Sequence, residues 1–109
     1  MVDKTYISCY GACLVSGNIY EKKGRLKWCI REESQREIDN GWRFLSEIDT
    51  EEYLNDVENW RILPYEAVIE IEPAVLVIYD MPTGTDIALI CEGGRKYFVD
   101  TNTGMRIER

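Results

Sequence analysis

The amino-acid sequence predicts an α+β fold, a single small domain over residues 1–109 with a mostly antiparallel sheet and two or three short helices on one side. Three observations predict it. Strand-like stretches stand before, between and after two short helical stretches, an order that places helices on one face of an antiparallel sheet. The pair Gly93-Gly94 separates two apolar runs and supplies the backbone angles of a tight hairpin. The chain has 109 residues, 45% of them apolar, enough for one core and too few for two.

From Tyr6 to Val15 the residues predict one strand or two short ones, ended by the turn signal Ser16-Gly17-Asn18, and Lys22-Lys23-Gly24 marks a second turn. Leu26, Trp28 and Ile30 alternate with Lys27, Cys29 and Arg31, the period of two of a strand with one buried face. Glu33 to Asp39 is polar apart from Ile38 and reads as a short helix or turn closed by Asn40-Gly41, where glycine tolerates positive φ; Trp42 to Leu45 reads as a strand. Asp49 or Thr50 is placed to cap a helix, with Glu52 three residues after Asp49 as in a capping box. Tyr53, Leu54 and Val57 would share its inner face.

A second short helix follows, with Pro64 at its first position, Ala67, Val68 and Ile71 inside, Glu66 and Glu70 outside, and Pro73 as its stop. Ala74 to Tyr79 is a continuous apolar run of strand length, and predicts a central strand covered on both faces. Asp86 to Cys91 and Arg95 to Val99 are the arms of the hairpin; Thr101 to Gly104 is a turn, after which the chain adds an edge strand. Trp28 and Trp42 are expected in the core, where tryptophan area is most useful, whereas Trp60, beside an acidic stretch at a helix end, divides between core and interface.

Two absences narrow the chemistry. The sequence has no histidine, which removes the commonest general base and zinc ligand together with every Ser/His or Cys/His nucleophile pair within one chain. Its four cysteines (Cys9, Cys13, Cys29, Cys91) have spacings that lack the two close pairs of a zinc ribbon. They are read as free thiols, mostly buried in apolar strands. No run of about 18 apolar residues and no apolar leader with a cleavage site occurs, so the protein is expected to be soluble, unexported and cytoplasmic.

Charge is concentrated. Residues 47–72 hold nine acids and one base, Arg61, a net of −8, while the remaining positions hold eleven acids and twelve bases. Such a surface repels phosphate backbones and steers cationic partners, which argues against nucleic acid as a ligand. The alternative is that helices display acids for solubility and to complement their N-terminal dipoles. The acids lack the spacing of a helix-loop-helix calcium site, and nothing around them resembles a glycosidase cleft. Neither Met81-Pro82-Thr83-Gly84-Thr85 nor Gly93-Gly94-Arg95-Lys96 has the context of a phosphate-binding loop. The residues therefore imply no cofactor, metal site or catalytic group. An enzyme would need a cleft of perturbed carboxylates or a reactive thiol such as Cys13.

The segments Cys13-Leu14-Val15-Ser16, Arg31-Glu32-Glu33, Gly41-Trp42-Arg43-Phe44-Leu45-Ser46 and Glu52-Tyr53-Leu54-Asn55-Asp56, followed by Glu58-Asn59, occur in the order of a known small-domain family. Over roughly Ala12 to Gly84 the chain resembles the thirty-third immunity-protein family of bacterial polymorphic toxin systems, with GWRFLS and EYLND as the specific blocks. The resemblance implies an α+β, cytoplasmic bacterial protein that binds and neutralises a cognate toxin; it carries over no catalytic residue. Within that expectation Glu51, Glu52, Asp56, Glu58 and Trp60, with Glu66 and Glu70, are the candidate partner-binding residues. The competing expectation is a non-enzymatic housekeeping or self-associating domain in which the acids only solubilise.

Overall fold

A computed structural model of the chain describes residues 10–34 and 36–108. In chain order it contains β1 (Ala12–Ser16), α1 (Gly17–Tyr20), β2 (Leu26–Arg31), β3 (Asp39–Ser46), α2 (Glu51–Leu54), a 3-10 turn (Val57–Asn59), β4 (Trp60–Pro64), α3 (Tyr65–Ile71), a 3-10 helix (Pro73–Ile78), β5 (Asp86–Glu92) and β6 (Arg95–Asp100). The strands form a six-stranded sheet of order β4-β1-β3-β2-β5-β6. It is antiparallel except for the β1–β3 pair. The predicted α+β class and the hairpin across Gly93-Gly94 are both present. The predicted first strand is observed from Ala12 onward; its beginning at Tyr6 lies outside the described residues.

Two bulges decide which side chains face the core. Between Leu26 and Trp28, β2 advances two residues while β3 advances one, from Ser46 to Leu45. The extra residue resets the alternation. Leu26 and Cys29 are buried in the core, while Trp28 and Ile30 are half-buried on the opposite face, so the expectation of a core Trp28 is corrected. In the β1–β3 pair, β1 advances from Ala12 to Leu14 while β3 advances from Asp39 to Arg43. Gly41 lies in this irregularity at φ +89°, where an added Cβ would run into the Glu32 carbonyl. Asn40 spans it, its amide donating to the Tyr10 carbonyl (2.8 Å) and its Oδ1 accepting from the Trp42 N–H (2.9 Å). Asn40-Gly41 thus lies inside β3, not at the close of a preceding turn.

Helical elements cover one face of the sheet. Tyr65 and Val68 of α3, with Val75 and Ile78 of the 3-10 helix, pack on Cys13, Val15, Cys29, Trp42, Phe44, Ile87 and Phe98. The Tyr65 hydroxyl donates to the Val75 carbonyl at 2.6 Å, locking the two helices together. Ala74 to Tyr79 is therefore not the predicted central strand. Pro73 begins a helical turn there, and the Glu72 carboxylate accepts from the Ala74 N–H (3.1 Å) as its cap. Val75 and Ile78, three apart, are fully buried, whereas Leu76 and Val77 are half exposed. An unbroken apolar run does not distinguish the two periods.

The second edge strand, β4, was not predicted. Trp60 begins it, and Pro64 ends it as the residue before α3, a position that an edge strand tolerates because its missing N–H leaves no ladder bond unmade. In α3 the inward residues are Tyr65 and Val68; Ala67 is half-buried and Ile71 is largely at the surface. Helix α2 stops at Leu54, so Val57 belongs to the 3-10 turn and stands 80% exposed instead of sharing a helical face with Tyr53. After Gly104 the chain returns along β6 through one bridge, Val99 to Arg106.

Candidate interaction surface

The acid-rich stretch divides into internal and exposed carboxylates. Asp49 accepts from Ser16 Oγ (2.8 Å), Asn18 Nδ2 (2.7 Å) and the Ser46 N–H (2.7 Å), joining the ends of β1 and β3 to α1. Thr50, not Asp49, caps α2, through the Tyr53 N–H (3.1 Å). Glu72 holds Lys96 at 2.9 Å. These two acids are structural.

The predicted partner-binding residues lie elsewhere. Glu51 and Glu52 occupy the exposed first turn of α2, and Asp56 and Glu58 the 3-10 turn behind it, where Asp56 accepts from the Glu58 N–H (2.9 Å). Trp60 is half-buried against the same segment and donates its indole N–H to the Leu54 carbonyl at 2.8 Å. These five residues share one end of β4. Glu66 and Glu70 follow β4 on α3, at its other end, so the structure separates them from the first group. Glu70 is exposed, and Glu66 has one buried carboxylate oxygen without a hydrogen-bond partner. Among the described residues no ion pair holds the side chains of Glu51, Glu52, Glu58 or Glu70.

The face of the sheet opposite the helices carries apolar side chains that sequence reading missed. Ile62, Leu14, Arg43 and Ile30 lie in one row across β4, β1, β3 and β2, and Leu45, Trp28, Ala88 and Val99 in the next row across β3, β2, β5 and β6. Ile62 is 72% exposed, and Leu14, Trp28, Ile30, Leu45 and Val99 are half-buried. A hollow of about 240 Å³ opens on this face between Ile38 and Ile62, floored by Ala12, Leu14 and Arg43. The signal that could have found the face is the apolar content of both phases of β1, β2 and β5. It was hidden by the bulge in β2 and by the lack of any predicted strand between Trp60 and Pro64.

Arg43 fixes the floor of the hollow. It is buried, and it donates to both oxygens of Asp39 (2.9 Å each), to Glu32 (2.8 Å) and to the Trp42 carbonyl (3.0 Å). Its charge is thus offset by two carboxylates, and the hydrogen bonds it donates to Asp39 raise its pKa further. Of the four cysteines, Cys13 and Cys29 are buried free thiols, Cys91 is an exposed one, and Cys9 lies outside the described residues. Burial pushes the Cys13 thiol up to about 12 and Cys29 well above its ordinary range. Both are therefore held as thiols, not as nucleophilic thiolates, at neutral pH. Among the described residues no group of three or more Cys, Asp or Glu is arranged to hold a metal ion, and no helix is long and apolar enough to cross a membrane.

No curated protein and no solved structure matches the chain. A family model does, the immunity protein Imm33 domain, over residues 13–99. That span runs from the buried Cys13 of β1 to Val99 of β6 and takes in every strand of the sheet and both candidate surfaces. On that match the chain belongs to the Imm33 immunity protein family.

Proposed function

We propose that this chain is a bacterial, cytoplasmic immunity protein that binds one cognate toxin and neutralises it by occlusion, without chemistry of its own. Family membership supports a protein partner. The observation that carries the binding mode is that Glu51, Glu52 and Glu58 stand exposed and without an ion pair among the described residues, on a segment whose backbone is already capped internally by Thr50 and Asp56. Carboxylates in that state raise the rate of encounter with a basic surface and lose little on docking.

The test is direct. The gene should lie beside that of a toxin, and cells expressing that toxin should survive when this chain is co-expressed. With the purified pair, reversing Glu51, Glu52, Asp56 and Glu58 to lysine should slow association about 10-fold or more at low salt and flatten its salt dependence. The thermal transition should fall only by the loss of the Asp56 cap, about 1 kcal/mol, since all four positions are exposed. Unchanged association would remove the acidic segment from the interface.

A further inference from the structure

We propose that the hollow on the open face of the sheet is the anchor site for a protruding apolar side chain of the partner, one ringed on the partner's surface by Lys and Arg. This deepens the immunity reading and rests on it.

Four observations carry the proposal. The helices cover the other face of the sheet, and among the described residues no helix covers this one, which leaves Ile62 exposed and Leu14, Ile30, Trp28 and Leu45 half-buried there. Contiguous apolar surface of this kind marks a contact site. The hollow, at about 240 Å³, is smaller than the roughly 300–1,000 Å³ of small-molecule sites, and its walls Ile38 and Ile62 are apolar, with Arg36 the one exposed cation among its lining residues. A buried pocket at the centre of an interface that accepts one large side chain is the usual seat of binding energy. Its floor is held rigid by the Arg43–Asp39 pair, so little ordering is required when the anchor enters.

Charge selects the occupant. By strand alternation Trp60 and Ile62 lie on the same side of β4, and Trp60 is bonded to the end of α2. The exposed acids therefore adjoin the Trp60 end of β4, on the border of the face that carries the hollow. An apolar centre with an acidic rim fits an apolar protrusion with a basic surround. A second copy of this chain, at net charge −7, brings the same acids and is repelled. Strand addition at the β4 edge is hindered because Pro64 has no N–H and the Arg61 guanidinium already takes the Trp60 carbonyl (3.3 Å).

The experiment uses the full chain and the purified toxin encoded beside its gene. Ile62→Asp and Ile38→Asp change side chains that are 72% and 51% exposed, so both variants should keep the wild-type thermal transition. Each adds a negative charge that by itself favours a basic partner, yet the proposal predicts a Kd at least about 30-fold weaker, expressed in the dissociation rate and little altered by salt. Unchanged Kd for both variants, in a chain whose wild type binds, overturns the anchor site and leaves the acidic segment as the docking surface. Failure of the wild type to bind or to protect overturns the immunity reading and this proposal together. A wild-type dimer that Ile62→Asp converts to monomer assigns the hollow to a second copy and also overturns it.

Discussion

Replacing Arg43 with methionine is expected to lower the unfolding free energy by about 3–5 kcal/mol, the usual cost of breaking a buried ion pair from one side. The guanidinium is 6% exposed and Asp39 15% exposed, so the carboxylate left behind has little water to turn to. Glu32, at 57%, recovers its hydration and contributes less. The cost thus arises from Asp39. It follows that the double variant Arg43→Met/Asp39→Leu should regain most of the loss, since an apolar pair of similar volume is often neutral or better than a buried ion pair. Urea denaturation followed by tryptophan fluorescence measures both. A loss under about 1 kcal/mol for Arg43→Met would show that the cluster is hydrated and the floor of the hollow is not rigid.

Raising the pH above 9 is expected to destabilise the fold steeply. Cys13 is pushed from 9.0 to about 12 and Cys29 is pushed upward as well, in both cases chiefly by burial. The unfolded chain exposes both as ordinary thiols. Between pH 9 and 12 it therefore binds fewer protons than the native chain, and stability falls as the pH rises. Below that window the thiols are protonated in both states and contribute no pH dependence. At about 1.4 kcal/mol per pH unit of displacement, Cys13 alone corresponds to a loss on the order of 4 kcal/mol across the window. Tyr65, raised mainly by its own burial, adds to the same trend above pH 10. A Cys13→Ala chain should start less stable at neutral pH and show a visibly shallower decline. Equal slopes for the two chains would place Cys13 in contact with water.

How far the sequence discloses this molecule depends on which physical signal each element carries. The β5–β6 hairpin is legible because a glycine pair admits few alternatives, with Gly93 and Gly94 both at positive φ. The core position of Trp42 is legible from the area of its side chain, and no bulge in the β2–β3 pair falls between Trp42 and Phe44 to exchange the faces. Trp28 is not, since one inserted residue exchanges the faces of β2 and leaves no local trace in composition. The apolar run at Ala74 to Tyr79 is misread because helix and strand share it until Pro73 and the Glu72 cap are weighed. Of the candidate surface, the acids of α2 are visible as a charge count. Their separation from Glu66 and Glu70 depends on β4, and the hollow depends on three strands and a loop that meet only in the folded chain.

The central claim is that this chain docks a protein partner with the open face of its sheet and the acidic segment at its border. Hydrogen exchange on the complex with the purified neighbouring toxin, compared with the free chain, measures this most directly. The account predicts added protection in the peptides that contain Glu51 to Ile62 and Ile38, with none over α3 and the 3-10 helix that follows it. Protection confined to those two helices, with the α2 segment and Ile38 unchanged, would contradict it.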